Sequence, residues 1–222
     1  MKVGTDGVLL GAWVSVNHKP QKILDIGSGT GLIGLMLAQR SHANTIDAVE
    51  IDKAAFEQTV ENFEESPWSD RLFCYNYSFQ NFAEEISKEQ HTYDLIVSNP
   101  PFYNDGFTSK NVSRNKARST LSLPFHELLF GVSNILSKSG FFSIIIPFKE
   151  EVNFISLAMQ YGLFINQSCR VKGNKNSEIK RSLLSFSFSK TSIKPTVLTI
   201  EKSRNVYTAN YIDLTKKFYL KM

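Results

Sequence analysis

Along most of this chain, short apolar runs alternate with stretches whose apolar residues recur every three or four positions. The runs at 22–27 (KILDIG), 45–51 (TIDAVEI), 71–76 (RLFCYN), 93–98 (YDLIVS) and 141–147 (FFSIIIP) have strand length. Between them, 32–40, 54–66, 81–89, 123–137 and roughly 150–161 predict helices. Strands whose apolar residues run together, separated by helices, predict a parallel sheet covered on both faces. From 163 the rhythm changes: 163–171, 182–190 and 196–202 are strand-like with short turns between them, which predicts an antiparallel edge. The expected architecture is α/β, a doubly wound, mostly parallel sheet.

Composition narrows this further. At 222 residues and 42% hydrophobic, the chain suits one well-buried core, so a single domain over 1–222 is expected. The longest apolar run, 141–148, is far shorter than the ~20 residues that span a bilayer, so no membrane partner is expected. Two distant cysteines, Cys74 and Cys169, no Cys/His cluster and no charged-then-apolar leader point to a reducing cytoplasm and no metal. The four histidines show no partner spacing, and no chemistry is assigned to them. Residues 1–150 hold 13 Lys/Arg against 17 Asp/Glu, whereas 151–222 hold 12 against 4. The basic last third suits a polyanionic partner, although a solvated lysine-rich surface has the same composition.

Chemistry enters at LDIGSGTGLIG, residues 24–34, where Gly27, Gly29 and Gly31 lie between an apolar strand and a helix. Glycines there let a ligand approach the backbone and permit positive φ. Residues 29–34 also satisfy the GxGxxG of dinucleotide enzymes, and Glu50 ends the next strand where a ribose-binding acid belongs, so the segment alone separates no nicotinamide cofactor from S-adenosylmethionine. Asp25, just before the first glycine, repels a pyrophosphate and suits a cationic methionyl group.

The fourth strand ends in Asn99-Pro100-Pro101-Phe102. An exocyclic or amide NH2 is a poor nucleophile because its lone pair is delocalised. Acceptors on its two hydrogens, the Asn99 side-chain oxygen and the Pro100 carbonyl, favour the pyramidal nitrogen that forms during transfer. The prolines restrict the loop and remove two N–H groups, and Phe102 offers a face on which a base can stack. Residues 103–119 then form a long connection carrying Tyr103, Lys110, Arg114, Lys116 and Arg118, a composition for stacking bases and holding phosphates. Lys172, Lys175, Lys180 and Arg181 extend a candidate phosphate-binding face. Tyr207, Tyr211, Phe218 and Tyr219 have helical spacing and are expected in the core.

LDIGSGTG, VEID and NPPF, in this order and spacing, resemble class I S-adenosylmethionine-dependent methyltransferases of the amino-group type. The blocks MKVGTDGVLLGAW, TIDAVEID, SPWSDR, NKARSTLSLPFHELL and YTANYIDLTKKFYLKM resemble the bacterial tRNA(Val) adenine N6-methyltransferase family. That resemblance implies a seven-stranded Rossmann-like sheet, S-adenosyl-L-methionine as cofactor and the adenine 3′ of a tRNA anticodon as target. It implies that Gly27, Gly29 and Gly31 border the donor, Asp25 and Thr5 lie near its methionyl part, and Glu50, with Ile51 beside it, binds its ribose. Asn99, Pro100 and Phe102 are then the catalytic set. Ser78 stands where such enzymes usually carry an Asp for the donor's adenine, which implies weaker or backbone-assisted binding. The family also carries an aromatic and basic segment ahead of MKVGTDG, for which this sequence has no counterpart, and RNA affinity is expected to suffer. A monomer is favoured. Rival readings are the same chemistry on rRNA guanine N2, DNA adenine or protein glutamine, a nucleic-acid-binding protein with a degenerate donor site, and a nicotinamide oxidoreductase.

Overall fold

The computed structural model describes residues 4–101 and 123–220. Seven helices are described: α1 (Thr5–Trp13), α2 (Leu32–Arg40), α3 (Lys53–Glu64), α4 (Phe79–Lys88), α5 (Phe125–Ile135), α6 (Glu151–Gln160) and α7 (Ala209–Thr215), with a 3-10 turn at Phe148–Glu150. The strands are β1 (Lys22–Ile26), β2 (Thr45–Val49), β3 (Leu72–Tyr75), β4 (Tyr93–Ser98), β5 (Leu136–Pro147), β6 (Phe164–Asn174), β7 (Ile179–Ser187), β8 (Thr196–Ser203) and β9 (Val206–Tyr207). They form one sheet in the order β3-β2-β1-β4-β5-β7-β6-β8-β9. The predicted α/β class and C-terminal reversal hold; the sheet has two strands more than the seven the resemblance implies, and of these β8 falls on the strand-like run at 196–202 while the short β9 has no counterpart in the pattern.

The first five strands are parallel, and their runs are apolar on both sides because both faces are covered. Leu24, Ile26, Ile96 and Ile144 point into one core with Phe82 of α4, Leu129 of α5 and Phe154 of α6. Ile23, Leu95, Val97 and Ile145 point into the other with Leu10 of α1, Leu37 of α2 and Phe63 of α3. At ~1.5–3 kcal/mol per fully buried large aliphatic or aromatic side chain, these two layers supply most of the drive to fold.

The antiparallel expectation for the last strands holds only in part. Strand β7 runs antiparallel to both β5 and β6, and β9 antiparallel to β8, but β8 pairs parallel with β6. Both edges of β7 are already taken, so the next strand can add only to the outer edge of β6. The tyrosine-rich tail also differs from its helical spacing. Tyr211 alone of the four lies in α7 and is buried, Tyr207 belongs to β9, and Phe218 and Tyr219 follow the helix.

Chain order reverses between β1 and β4: β2 and β3 lie to one side, β4 and β5 to the other. At such a switch point the loops beyond the carboxyl ends diverge and leave a crevice.

Candidate active site

That crevice is a cleft of about 1040 Å³, bordered by the loops after β1, β2, β3 and β4 and by the first turn of α1. Among the predicted donor-site residues, Thr5, Gly27, Gly29, Glu50, Ile51, Ser78 and Asn99 line it.

The glycine loop is held from three directions. Gly27 and Gly29 adopt φ of 70° and 63°, values that side-chain-bearing residues rarely take. A Cβ on Gly27 would have no atom within 4 Å, so the missing side chain leaves open space on the cleft. Glu50 accepts from Gly29 N at 2.8 Å through Oε2 and from Asp52 N at 2.8 Å through Oε1. Its carboxylate is thus fixed by two backbone amides and still has lone pairs for the hydroxyls of a ribose. From α3, Thr59 Oγ1 donates to Gly29 O at 2.9 Å and Asn62 Nδ2 to Thr30 O at 2.8 Å. Asn76 Nδ2 donates to Glu50 O at 2.8 Å. These supports escaped the sequence reading. A loop turned by positive-φ glycines leaves carbonyls in need of donors, and Thr59 and Asn62, three apart and beside the core residue Phe63, were the signal.

Two predicted contacts lie elsewhere. Gly31 does not line the cleft: it precedes α2 with φ of 75°, and a Cβ there would meet Phe63 Cε1 at 2.6 Å. Its absent side chain serves the packing of α3. Asp25 is also outside the lining and 0% exposed, beneath the loop, where Oδ2 accepts from Gly34 N at 3.1 Å. Burial pushes its carboxyl up to about 7, the Gly34 N–H opposes this, and the Glu50 charge adds to it. Strand alternation places it there: Asp25 sits one residue before the strand end, on the covered face.

At the far wall, Ser78 caps α4, its side chain accepting from Asn81 N at 3.3 Å. Tyr77, Gln80 and Asn81, unassigned from the sequence, line the same wall. Tyr77 and Ile51 are each 44% exposed, a flat ring and an aliphatic chain able to bracket a planar base.

Opposite them β4 ends. Ser98 Oγ donates to Ile26 O at 3.0 Å, fixing the end of β4 to β1 just before Asn99. Asn99, Pro100 and Pro101 then line the cleft. Gly7 of α1 packs beside this end: a Cβ on it would lie 3.3 Å from Leu32 Cδ2 and 3.9 Å from Asn99 Nδ2. The predicted Phe102, Tyr103, Lys110, Arg114, Lys116 and Arg118 lie outside the described residues. Lys180 is exposed on β7, whereas Arg181 is in an ion pair, Nε to Asp6 Oδ2 at 2.8 Å. Among the described residues no cluster of three or more His, Cys, Asp or Glu is placed to hold a metal, and no helix is long and apolar enough to cross a membrane.

The cleft fits S-adenosyl-L-methionine: an acid prepared for ribose, glycine backbone open to a ligand, a wall for a base, and volume for a nucleoside-sized molecule. Residues 7–122 match the methyltransferase small domain. Among solved structures, a predicted O-methyltransferase from Agrobacterium tumefaciens aligns over 96% of both chains at TM-score 0.71 and 16% identity. An N-methyltransferase, NodS, from Bradyrhizobium japonicum aligns over 80% of this chain and 90% of its own at TM-score 0.54 and 12% identity. These two show a shared fold. Among curated relatives, proteins of Flavobacterium psychrophilum and Flavobacterium johnsoniae are 54% and 55% identical, covering 100% of this chain and 94% of their own lengths. One from Bacteroides fragilis is 44% identical over 100% of this chain and 92% of its own. All three carry the name tRNA1(Val) (adenine(37)-N6)-methyltransferase, and at such identity over the whole chain this protein belongs to that methyltransferase family.

Proposed function

We propose that this enzyme transfers a methyl group from S-adenosyl-L-methionine to the N6 nitrogen of an adenine in tRNA, adenine 37 of a valine tRNA, as the names of its relatives indicate for them. The observation that carries this reading is the meeting of Glu50 and the glycine loop with Asn99-Pro100-Pro101 in one cleft. A donor held by the first stands next to an amino group held by the second.

Glu50 would accept from the ribose hydroxyls, Gly27 and Gly29 would lie along the donor, and Thr5 would meet its methionyl end. Ile51 and Tyr77 would bracket its adenine, with Ser78 and Asn81 at the ring edge. When bound, the donor supplies a methyl group already activated on a sulfonium, so positioning contributes most and no strong general base is required. Asn99 Oδ1 and the Pro100 carbonyl would accept from the two hydrogens of the target amine, drawing its lone pair out of the ring and toward the methyl carbon. The N–C bond would form as the methyl–sulfur bond breaks, with the bonding pair returning to sulfur as a neutral thioether that leaves with the spent donor, and one of the two amino protons would pass to water. The exposed lysines of the β6–β7 hairpin, Lys175 and Lys180, together with Lys172, would contact the tRNA backbone. A cytoplasmic site of action follows from a tRNA substrate.

The test is methyl transfer from labelled S-adenosyl-L-methionine into bulk tRNA from a strain lacking this gene, followed by nucleoside mass spectrometry. N6-methyladenosine in a valine tRNA is the expected product. Donor binding without label in any tRNA would redirect the search to rRNA, DNA and protein amides.

A further inference from the structure

The sequence placed Arg181 on the tRNA face with Lys180, yet its guanidinium turns the other way. Arg181 stands on β7 opposite Pro147 of β5 and Val171 of β6, on the side of the sheet that α1 covers. Its Nε donates to Asp6 Oδ2 at 2.8 Å across 175 residues of chain, with side-chain exposures of 34% and 28%. Asp6 lies in the first turn of α1, and that turn is a wall of the cleft: Gly4, Thr5, Asp6 and Gly7 all line it.

That turn is packed through the buried Gly7 and Val8 but has few polar ties. Gly4, its N-cap, offers no side-chain hydrogen bond. The opposite end of α1 is tied by Arg40, whose Nη1 and Nη2 donate to Gly11 O at 2.5 Å and Val14 O at 2.8 Å. Asp6 favours the helix N-terminus through the helix dipole, but the dipole does not fix where the turn sits relative to the sheet. The ion pair ties the turn directly to β7, and Gly7 of the same turn leaves room beside Leu32 and the Asn99 side chain.

We propose that Arg181 is a positioning residue for the methyl donor: by holding Asp6 it sets the first turn of α1 as the wall of the cleft, and it is not a phosphate ligand. This rests on the reading of the cleft as the donor site. Arg181 thus joins the antiparallel part of the sheet to the donor cleft, and the lysines beside it face tRNA.

The experiment measures donor affinity by calorimetry, tRNA affinity as a function of salt, and the KM for each substrate, in Arg181→Gln, Asp6→Asn and the double variant. Each single change is expected to weaken donor binding and raise the donor KM about five- to tenfold, with tRNA affinity and its salt slope unchanged. The double variant is expected to lose no more than either single one, because both remove the same contact. Wild-type donor affinity in Arg181→Gln with a tRNA salt slope reduced by about one phosphate contact would overturn the proposal. So would additive losses in the double variant. Glu50→Ala, measured alongside, separates two failures. If donor affinity survives that change, the cleft is not the donor site and both readings fall. If Glu50→Ala abolishes binding while Arg181→Gln and Asp6→Asn bind as wild type, only the positioning role falls.

Discussion

The parallel half of the sheet and its antiparallel extension use polar groups in opposite ways. At the carboxyl ends of β1, β2 and β4, the cleft is built from backbone and isolated polar side chains: Gly27, Gly29, Glu50 and Asn99. In the extension, charges pair with one another. Glu151 of α6, 3% exposed, accepts from Arg170 Nε at 3.1 Å, from Arg170 Nη2 at 2.7 Å and from Ser182 Oγ, while the Arg170 guanidinium lies 5.2 Å from the Phe148 ring centroid. Arg181 pairs with Asp6. A net basic tail is therefore a poor guide to which cations meet an outside partner. Two of its arginines brace the fold, and exposed lysines are left for the surface.

Five predictions test that contrast, the two glycine changes forming one. The largest effect is expected from Asn99→Ala, which should slow single-turnover methyl transfer about 10²-fold or more and leave calorimetric donor affinity nearly unchanged. A collapse of donor affinity would mean that Asn99 serves the other substrate. Next, Gly31→Ala should cost about 2–4 kcal/mol in urea unfolding, because a methyl group would strike the Phe63 ring at a positive-φ position. Gly173→Ala in the β6–β7 hairpin, where the nearest atom would be Ser177 Oγ at 3.4 Å, should cost under about 1 kcal/mol. Similar costs for both glycines would erase the contrast in packing.

Glu151→Ala should destabilise by about 1–3 kcal/mol, less than a fully buried pair because Arg170 is 34% exposed and water can rescue it. Asp25 gives a pH signature. Its folded carboxyl, pushed up to about 7 by burial, binds a proton more tightly than the unfolded chain, whose value is about 3.9. Below about pH 4 both states are protonated and nothing is lost. Stability then falls as pH rises to about 7 and levels off above it. Asp25→Asn cannot ionise, so its stability relative to wild type should improve by about 2 kcal/mol between pH 5 and pH 8. A constant difference in thermal unfolding across that range would show that Asp25 stays ionised. The smallest effect on folding, within about 0.5 kcal/mol, is expected from Lys172, Lys175 and Lys180 changed to Gln, with weaker, less salt-dependent tRNA binding. Unchanged tRNA binding would remove the hairpin from the tRNA face.

Legibility in the sequence followed the same divide. Helix α2 falls at 32–40 as its pattern predicts, and β4 at 93–98, because apolar periodicity reports burial directly. That Glu50, Gly27 and Asn99 border the crevice was legible because each stands at the carboxyl end of a parallel strand. The burial of Asp25 beneath the loop was not legible, because it depends on one step of strand alternation. The Arg181–Asp6 pair was hidden because charge has no direction in a sequence: the two residues are 175 apart, and only the fold brings them together. The parallel pairing of β8 with β6 was hidden for a related reason, since edge availability is a property of the assembled sheet.

Thr59 and Asn62 hold the glycine loop by its own carbonyls, and Glu50 holds it by an amide. A molecule arriving there meets a surface already ordered and pays little conformational entropy for it. Encounter is then governed by diffusion and orientation, and the difference between a donor and its spent product falls on how fast each leaves. For this enzyme the bracing of a small loop by α3 therefore bears on residence time, since a cleft ordered before binding separates its ligands mainly by how long each stays.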